Sequence, residues 1–391
     1  MHTDAPIKEW SEEKIWNPFN SFKLLAQVYR WRLIRRGRPI PQPVLVTVDP
    51  INACNLTCVW CNSNPVIQSH HGALSEQSLQ GIAEFLPRWK SHPDWEGGVE
   101  SICIAGGGEP LLNPHVGDFI ETCVDQGIQV GVVTNGTRIH EWIPALSRCT
   151  WVGVSVDAGS TRTFERIKGK DRFRRVTENI RALEGYSRTH GTRLARPGQG
   201  YGISYKFLLH PLNMEDIAPA AEQAKALGCR NFHLRPAGIP WFKLGEQRSF
   251  FQDMREITDL VNAQMAAARK LEDPHFGVFG VTHKFSPRLS PHNRFHQCHA
   301  LFMTAVFMPP SRGCHQGMDI GLCCDRRGDS SLTLCRNITH AREPSRHWGG
   351  PKHWEMFDAL ELSQCPRCTY QPHNQIFERV ILEDQMTYRF I

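Results

Sequence analysis

From Val44 onward, short apolar runs alternate with longer amphipathic segments. The apolar runs are rich in β-branched residues, which is typical of buried strands. The six strand candidates are Val44–Val48, Ser101–Ile104, Gln129–Val133, Trp151–Ser155, Gly202–Leu208 and Asn231–Leu234. Apolar residues at helical spacing predict helices between them, at Ser75–Pro87, His115–Gln126, Phe173–Ser187 and Met214–Leu227.

Strands that alternate with helices predict repeated βαβ units and a parallel sheet. Six such units can close partway towards a barrel. We therefore predict an α/β fold, a partial (β/α)6 TIM-type barrel, over residues 46–285. In such folds the active site lies at the carboxyl ends of the strands.

The segments on either side of this region follow other patterns. Residues 1–45 are predicted to form an extension with one helix from Ser21 to Arg36, whose basic end is expected to be solvated. After about residue 285 the alternation stops and Pro, Gly, His and Cys become frequent, with helical spacing only at Trp354–Leu362. Residues 286–391 are therefore predicted to be a loop-rich domain stabilised by metal ligation.

Composition limits the functional classes. A hydrophobic content of 40% excludes a disordered chain, and a net charge of +6 is small for 391 residues. Lys and Arg are dense only at Arg30–Arg38, so a nucleic-acid partner is not expected. The sequence has no apolar run long enough to span a membrane and no secretory signal at its start. These features predict a cytoplasmic protein without a membrane partner.

Fourteen cysteines in such a chain argue against a disulfide framework. Cys54, Cys58 and Cys61 lie together directly after the first predicted strand, in the spacing C-x3-C-x2-C. Three thiolates on one loop can bind three irons of a cubane and leave the fourth iron open to a small molecule. A closed zinc site is the alternative, but it needs a fourth ligand, for which the nearest candidates are His70 and His71.

The cysteine triplet, with Trp60 before its third member, resembles the signature of the radical S-adenosylmethionine (SAM) superfamily. Three further segments end successive predicted strands in the order typical of that superfamily: Gly106-Gly107-Gly108-Glu109-Pro110, Thr134-Asn135-Gly136 and Ser155-Val156-Asp157. The resemblance covers about residues 44–240. A later GxIxGxxE motif of the superfamily is not readable, which leaves the adenine contacts open.

The resemblance implies two cofactors, a 4Fe-4S cluster held by Cys54, Cys58 and Cys61 and SAM bound at its open iron. The implied SAM-binding residues are Gly107, Gly108, Glu109, Asn135, Ser155 and Asp157. It also implies an electron donor of the flavodoxin or ferredoxin type. An electron from the cluster would cleave SAM to methionine and a 5′-deoxyadenosyl radical, which removes hydrogen from the substrate.

A second cysteine set in the C-terminal segment resembles the twitch or SPASM extension of the superfamily, which houses auxiliary 4Fe-4S clusters. Its members are Cys298, Cys323, Cys324, Cys365 and Cys368. The spacing favours one auxiliary cluster. Adjacent residues of an extended chain face opposite ways, so only one of Cys323 and Cys324 is expected to be a ligand, and the family pattern favours Cys323. Cys314 and Cys335 stay undecided, and zinc is an alternative for this domain.

The sequence only modestly limits the range of possible substrates. Peptide-modifying relatives often bear a leader-binding winged-helix domain, for which residues 1–45 are too short. We therefore expect a small polyhydroxylated substrate (a sugar, aminoglycoside or nucleoside, as in natural-product biosynthesis) that is oxidised, epimerised or decarboxylated. Lys206 and Arg235 at strand ends are candidates to pair with a carboxylate or phosphate. The alternatives are a maturase of a ribosomally made peptide and a non-enzymatic metal scaffold.

Overall fold

The computed structural model describes residues 21–69, 72–198, 200–237, 258–280, 295–310, 317–365 and 368–382. Within these ranges, ten strands form one unclosed, mostly parallel sheet in the order β10-β9-β8-β1-β2-β3-β4-β5-β6-β7. The strands are β1 Leu45–Val48, β2 Ser101–Ile104, β3 Gln129–Thr134, β4 Trp151–Ser155, β5 Gly202–Leu209, β6 Asn231–Pro236, β7 Gly277–Gly280, β8 Thr304–Met308, β9 Met318–Gly321 and β10 Thr333–Ile338.

Helices accompany the parallel strands as the alternating pattern predicts. The α-helices are Val28–Trp31, Asn64–Ser69, Glu76–Phe85, Val116–Asp125, Ile143–Ser147, Thr161–Lys168, Phe173–Thr189, Ile217–Ala226, Thr258–Arg269, Pro344–His347, Pro351–Asp358 and Gln371–Ile376. Short 3-10 segments include Leu86–Arg88, Pro110–Leu112 and His299–Phe302, and a π-helical turn spans Phe377–Leu382.

The six predicted strands are confirmed, with ends that differ by at most two residues, and the α/β partial-barrel class is confirmed with them. A seventh parallel strand, β7, pairs with β6 from Asn231↔Gly277 to Leu234↔Gly280. It was not predicted, because four residues with a glycine at each end give too weak a strand pattern.

The C-terminal segment is more regular than its sequence suggested. β8 runs parallel to β1 on the side opposite β2, and β9 and β10 continue the same sheet in antiparallel pairs. All five residues of β8 and all four of β9 are buried. Strands buried on both faces lack the alternation of apolar and polar residues that would reveal them. The predicted helix at Trp354–Leu362 is shifted to Pro351–Asp358.

The N-terminal helix is shorter than predicted and packs differently. It consists of a 3-10 segment, Ser21–Gln27, and an α-helical turn that ends at Trp31 rather than Arg36. The prediction that the basic end of this helix is solvated is wrong for Arg30, whose side chain is only 2% exposed. Its Nη1 donates to Glu100 at 2.8 Å, and its guanidinium lies 4.5 Å from the centre of the Trp95 ring. None of the described helices combines the length and the apolarity needed to cross a bilayer.

A buried ion pair fastens the C-terminal segment to the carboxyl end of β1. Asp49 follows β1 directly, is 1% exposed, and accepts from Arg327 Nε at 2.5 Å and Nη2 at 3.1 Å. Nη1 of the same arginine donates to the carbonyl of Cys324 at 2.5 Å. One side chain therefore fixes the turn after Cys323 and Cys324 to the strand that precedes Cys54.

We expect Arg327→Met to lower the free energy of unfolding by about 3 to 5 kcal/mol, because it leaves the Asp49 carboxylate buried without its partner. Urea unfolding of the apoprotein measures the change. The matched control is Arg174→Met, which removes an exposed helical pair with Glu178 and should leave the unfolding midpoint unchanged. Equal midpoints for both variants would contradict a structural role for the buried pair.

Candidate active site

The cysteine triplet lies on the loop that leaves the carboxyl end of β1. The far side of this loop rests on the end of the Thr161–Lys168 helix, where Thr57 N–H donates to Lys168 O at 3.1 Å and Val59 N–H to Ile167 O at 3.0 Å. These two bonds flank Cys58. The ring of Trp60 stacks on His210 at 4.7 Å. The loop is therefore held along its length by contacts that do not use the thiols.

Several N–H groups point at the sulfurs of this loop. The Cys54 sulfur receives the backbone N–H of Leu56 and the side-chain amide of Asn135, whose Nδ2 lies at 3.9 Å. The Cys61 sulfur receives the backbone N–H groups of Ser63 and Asn64. Burial raises the pKa of Cys54 to about 11 and also raises the pKa of Cys61. The N–H donors lower both pKa values, but by less than burial raises them. Burial therefore favours the protonated form of the Cys54 and Cys61 thiols at neutral pH.

The Gly106-Gly107-Gly108 loop after β2 packs on the start of the cysteine loop. A Cβ at Gly107 would lie 2.1 Å from Asn52 Oδ1, and one at Gly108 would lie 2.1 Å from the Ala53 carbonyl oxygen. Ser63 Oγ donates to the Gly106 carbonyl at 3.0 Å. At position 108 the nearest atoms belong to the backbone of Ala53, so only glycine permits this close approach of the two loops there.

Glu109 joins this unit to the end of β3. Its carboxylate accepts from Thr134 Oγ1 at 2.5 Å and from the Asn135 N–H at 2.7 Å, and its own N–H donates to Ala53 O at 2.8 Å. Burial raises the pKa of Glu109 to about 6, although these donors oppose the rise. Asn135 in turn donates to Asn55 Oδ1 at 2.8 Å. The residues expected to bind SAM at the ends of β2 and β3 therefore contact the cysteine loop directly.

The end of β4 contributes a buried charge pair. Ser155 is its last residue and is half-buried. Asp157 is fully buried in a left-handed conformation, with φ of 61°; its Oδ1 accepts from Leu208 N–H at 2.7 Å and its Oδ2 from Lys168 Nζ at 2.5 Å. Both oxygens of Asp157 are thus engaged within the protein. The ribose contacts of Ser155 and Asp157 stay predictions.

Lys168 is a site residue that the sequence analysis missed. Burial opposes its charge, but the Asp157 carboxylate, and the negative charge of Cys58 and Cys54 in their thiolate form, raise the pKa of Lys168 above the ordinary value. The same ammonium opposes the burial-driven rise in the pKa of Cys61. Nothing in the local sequence marks Lys168, because its role depends on the helix end meeting a loop over a hundred residues earlier.

Four C-terminal cysteines line one small cavity, which we call the four-cysteine cavity: Cys298, Cys323, Cys365 and Cys368. Phe295, Leu301, Leu332 and Leu360 form its apolar wall, and Asp325 and Arg326 its polar one. Asn374 Nδ2 lies 3.7 Å from the Cys298 sulfur, and Arg326 Nη1 lies 3.7 Å from the Cys365 sulfur. The arrangement joins residues that are far apart in sequence and includes Cys323 rather than Cys324.

The other cysteines have different surroundings. The Cys324 sulfur accepts from the Tyr370 hydroxyl at 3.1 Å, outside the lining of the cavity. Cys335 is buried on β10, and Cys314 lies outside the described residues. Cys123, Cys149 and Cys229 are buried as small hydrophobes, whereas Cys103 is only half-buried. All described cysteines are free thiols, and no three described Cys, His, Asp or Glu side chains are arranged around a single metal ion.

The inner face of the partial barrel carries basic side chains. Lys206 Nζ lies 3.0 Å from His233 Nδ1 and 5.3 Å from the centre of the Trp151 ring. Burial and the nearby Arg235 guanidinium lower the pKa of Lys206 to about 7. Arg235 itself is exposed on β6. The two cations expected at strand ends therefore lie close enough to influence each other.

Comparison with known proteins connects this geometry to a family. The model of the radical SAM superfamily matches residues 48–201. That range contains the cysteine loop and the ends of β2, β3 and β4. Residues 48–201 therefore match a radical SAM domain. Members of this superfamily are enzymes that use a 4Fe-4S cluster and SAM, so the match supports an enzyme with these cofactors.

Two curated relatives share part of the sequence. Mycofactocin maturase MftC of Mycobacterium ulcerans is 30% identical over 201 residues, which cover 50% of this chain and 48% of that protein. A probable GTP 3′,8-cyclase of Saccharolobus islandicus is 23% identical over 248 residues, covering 62% of this chain and 71% of that protein. The chain thus spans about half the length of the maturase.

Solved structures share the fold of this protein. Streptococcus suis SuiB bound to the precursor peptide SuiA matches 90% of this chain and 75% of its own, with a TM-score of 0.57 and 14% identity. The structure of anSMEcpe with bound AdoMet matches 85% of this chain and 88% of its own, with a TM-score of 0.55 and 14% identity. At this identity the likeness establishes the fold alone.

The residues of the radical SAM domain fit the cofactors. Three thiols lie on one loop, and N–H donors point at the sulfurs of Cys54 and Cys61. Such hydrogen bonds to sulfur stabilise an anionic iron–sulfur cluster. The buried Lys168 ammonium adds positive charge beside the same loop. Cys54, Cys58 and Cys61 would therefore hold the cluster, with the glycine loop and Asn135 beside it.

We expect Gly108→Ala to abolish SAM binding and to lower cluster content, because a methyl group would collide with the Ala53 carbonyl and displace the adjoining Cys54. Iron analysis and equilibrium binding of SAM measure the two effects. Gly185→Ala is the matched control, since the space around Gly185 is open and alanine is favourable within a helix. Normal iron and SAM binding in Gly108→Ala would contradict the close packing of the two loops.

Proposed function

We propose that the protein reductively cleaves SAM and uses the resulting radical to abstract hydrogen from a small polyhydroxylated substrate. The observation that carries the proposal is the convergence of the cysteine triplet, the glycine loop and Asn135 at one edge of the sheet. When bound and reduced, the cluster supplies the electron that splits SAM into methionine and a 5′-deoxyadenosyl radical. The electron donor is of the flavodoxin or ferredoxin type.

The chain's own residues position and shield this chemistry. The glycine loop leaves backbone groups accessible next to the cysteines, where the SAM ammonium is expected to bind. Asn135 orients the end of β3 through Asn55 and the Cys54 sulfur. Ser155 and Asp157 are the candidates to bind the ribose of SAM. Lys168 balances the negative charge of the buried Asp157 carboxylate. The partial barrel keeps water away from the reacting atoms.

We further propose that the four-cysteine cavity holds one auxiliary 4Fe-4S cluster in a twitch or SPASM-like arrangement. Four thiols around one cavity are the ligand set of such a cluster. The presence of Cys323 in the lining, and the hydrogen bond that Cys324 accepts from Tyr370, support Cys323 as the ligand of the adjacent pair. The cluster would accept an electron from a substrate radical or stabilise the C-terminal segment.

The basic groups inside the barrel support a polar substrate. Lys206, His233 and Arg235 lie on neighbouring strands, and a buried amine with a pKa near 7 changes charge readily. A carboxylate or phosphate of the substrate would pair with these groups. Oxidation, epimerisation and decarboxylation are all compatible with a substrate held in this way.

A ribosomally made peptide is the second candidate substrate. The similarity to mycofactocin maturase over half of this chain favours it. A maturase would bind a precursor peptide tightly, whereas an enzyme for sugars or nucleosides would not. The discriminating experiment incubates the anaerobic enzyme with deuterated sugars, aminoglycosides and nucleosides and, separately, with candidate precursor peptides. Deuterium in 5′-deoxyadenosine from the small molecules alone supports the first candidate, and label from a peptide alone supports the second.

We expect Cys58→Ala to abolish formation of 5′-deoxyadenosine, because the cluster would lose one of its three protein ligands. Chromatography of the reaction with dithionite and SAM detects the nucleoside. Cys123→Ala is the matched control: it removes a buried thiol from the Val116–Asp125 helix and should leave SAM cleavage intact. Undiminished cleavage by Cys58→Ala would refute the assignment.

We expect the double change Cys365→Ala, Cys368→Ala to remove about four irons per chain while SAM cleavage continues without coupled product formation. Iron analysis and the ratio of 5′-deoxyadenosine to product measure these effects. Cys335→Ala, a buried thiol outside the cavity, is the control and should keep the full iron content. An unchanged iron content in the double variant would rule out a cluster in the four-cysteine cavity.

A further inference from the structure

Arg326 is the positively charged side chain among the described residues that line the four-cysteine cavity. Its Nη1 lies 3.7 Å from the Cys365 sulfur, within the range of an N–H···S hydrogen bond. The residue is 5% exposed, so water and salt screen its charge only weakly at this distance. A buried cation therefore acts directly on one of the four thiols.

The guanidinium is held in this position by a fixed anion. Nη2 of Arg326 pairs with the carboxylate of Asp329, which is itself buried. Oδ1 of Asp329 accepts from the Ser331 N–H at 2.9 Å and from Ser331 Oγ at 2.7 Å. Because these contacts fix the anchor, the arginine keeps the same nitrogen directed at Cys365.

Two other polar side chains lie in or beside the cavity, and neither carries a positive charge. Asn374, which contacts the Cys298 sulfur, is a neutral donor. The Asp325 carboxylate also lines the cavity, and it accepts from Thr369 N–H at 2.7 Å and Thr369 Oγ1 at 2.8 Å. Arg326 thus combines a positive charge with a direct contact to a cysteine sulfur.

We propose that Arg326 sets the reduction potential of the auxiliary cluster by stabilising its reduced form, an inference that rests on the cluster proposed above. One-electron reduction adds one negative charge to a cluster already surrounded by four thiolates. A cation in contact with one of these thiolates stabilises the reduced form more than the oxidised form, and so raises the potential. The cluster then accepts an electron more readily from a substrate radical, which becomes oxidised as it loses that electron and a proton.

The test is a potentiometric titration of the reconstituted full-length chain, followed by electron paramagnetic resonance. In Arg326→Gln we expect the midpoint potential of the auxiliary cluster to fall by about 59 mV or more, a tenfold change in the ratio of reduced to oxidised cluster. Arg326→Lys, which keeps the charge, and Asn374→Ala, which removes a neutral donor, should each shift it less. The potential of the SAM-binding cluster serves as the internal reference.

The double change Arg326→Gln, Asp329→Asn provides a second test, because it avoids leaving a buried carboxylate without its partner; the potential should again fall. An unchanged or raised potential in variants that retain both clusters would overturn the role of Arg326 and leave the proposed function intact. Loss of the auxiliary cluster in both neutral variants would also overturn it, since Arg326 would then be needed for assembly. Absence of a second cluster from the wild-type protein would instead refute the auxiliary cluster itself.

Discussion

Strand β1 is the constraint on which the arrangement of both cysteine sets depends. It pairs with β2 on one side and with β8 on the other, so the radical SAM domain and the C-terminal segment share one sheet. The cysteine triplet leaves the carboxyl end of this strand. The Asp49–Arg327 pair then ties the turn after Cys323 and Cys324 to the same end. Because both sets are attached to this strand, β1 fixes their positions relative to each other.

The two cysteine sets have similar electrostatic surroundings. Burial raises the pKa of the Cys54 thiol in the first set and of the Cys298 thiol in the second, and so disfavours negative charge. Each set also has N–H donors and a buried cation that is itself fixed by a carboxylate: Lys168 by Asp157, and Arg326 by Asp329. Such an environment suits an anionic cluster whose charge changes by one electron.

The sequence predicted the parts of the fold that have strong local patterns. The strands β1 to β6 alternate with amphipathic helices, and the site motifs follow the strands at fixed positions. Strands β8 and β9 were missed because they are buried on both faces. The burial of Arg30 and the role of Lys168 depend on contacts with residues far away in the sequence, Glu100 and the cysteine loop. The hydrogen bonds of the two Asp157 oxygens also depend on distant residues, since one donor, the Leu208 N–H, lies on β5.

The most direct test of the central claim uses SAM labelled with ¹³C and ¹⁷O in its carboxylate. The full-length chain, reconstituted and reduced under anaerobic conditions, is mixed with labelled SAM and measured by electron–nuclear double resonance. We predict hyperfine coupling between the label and the cluster at Cys54, Cys58 and Cys61, because SAM would bind the open iron. A reduced protein that shows no such coupling, or that assembles no cluster at these cysteines, would contradict it.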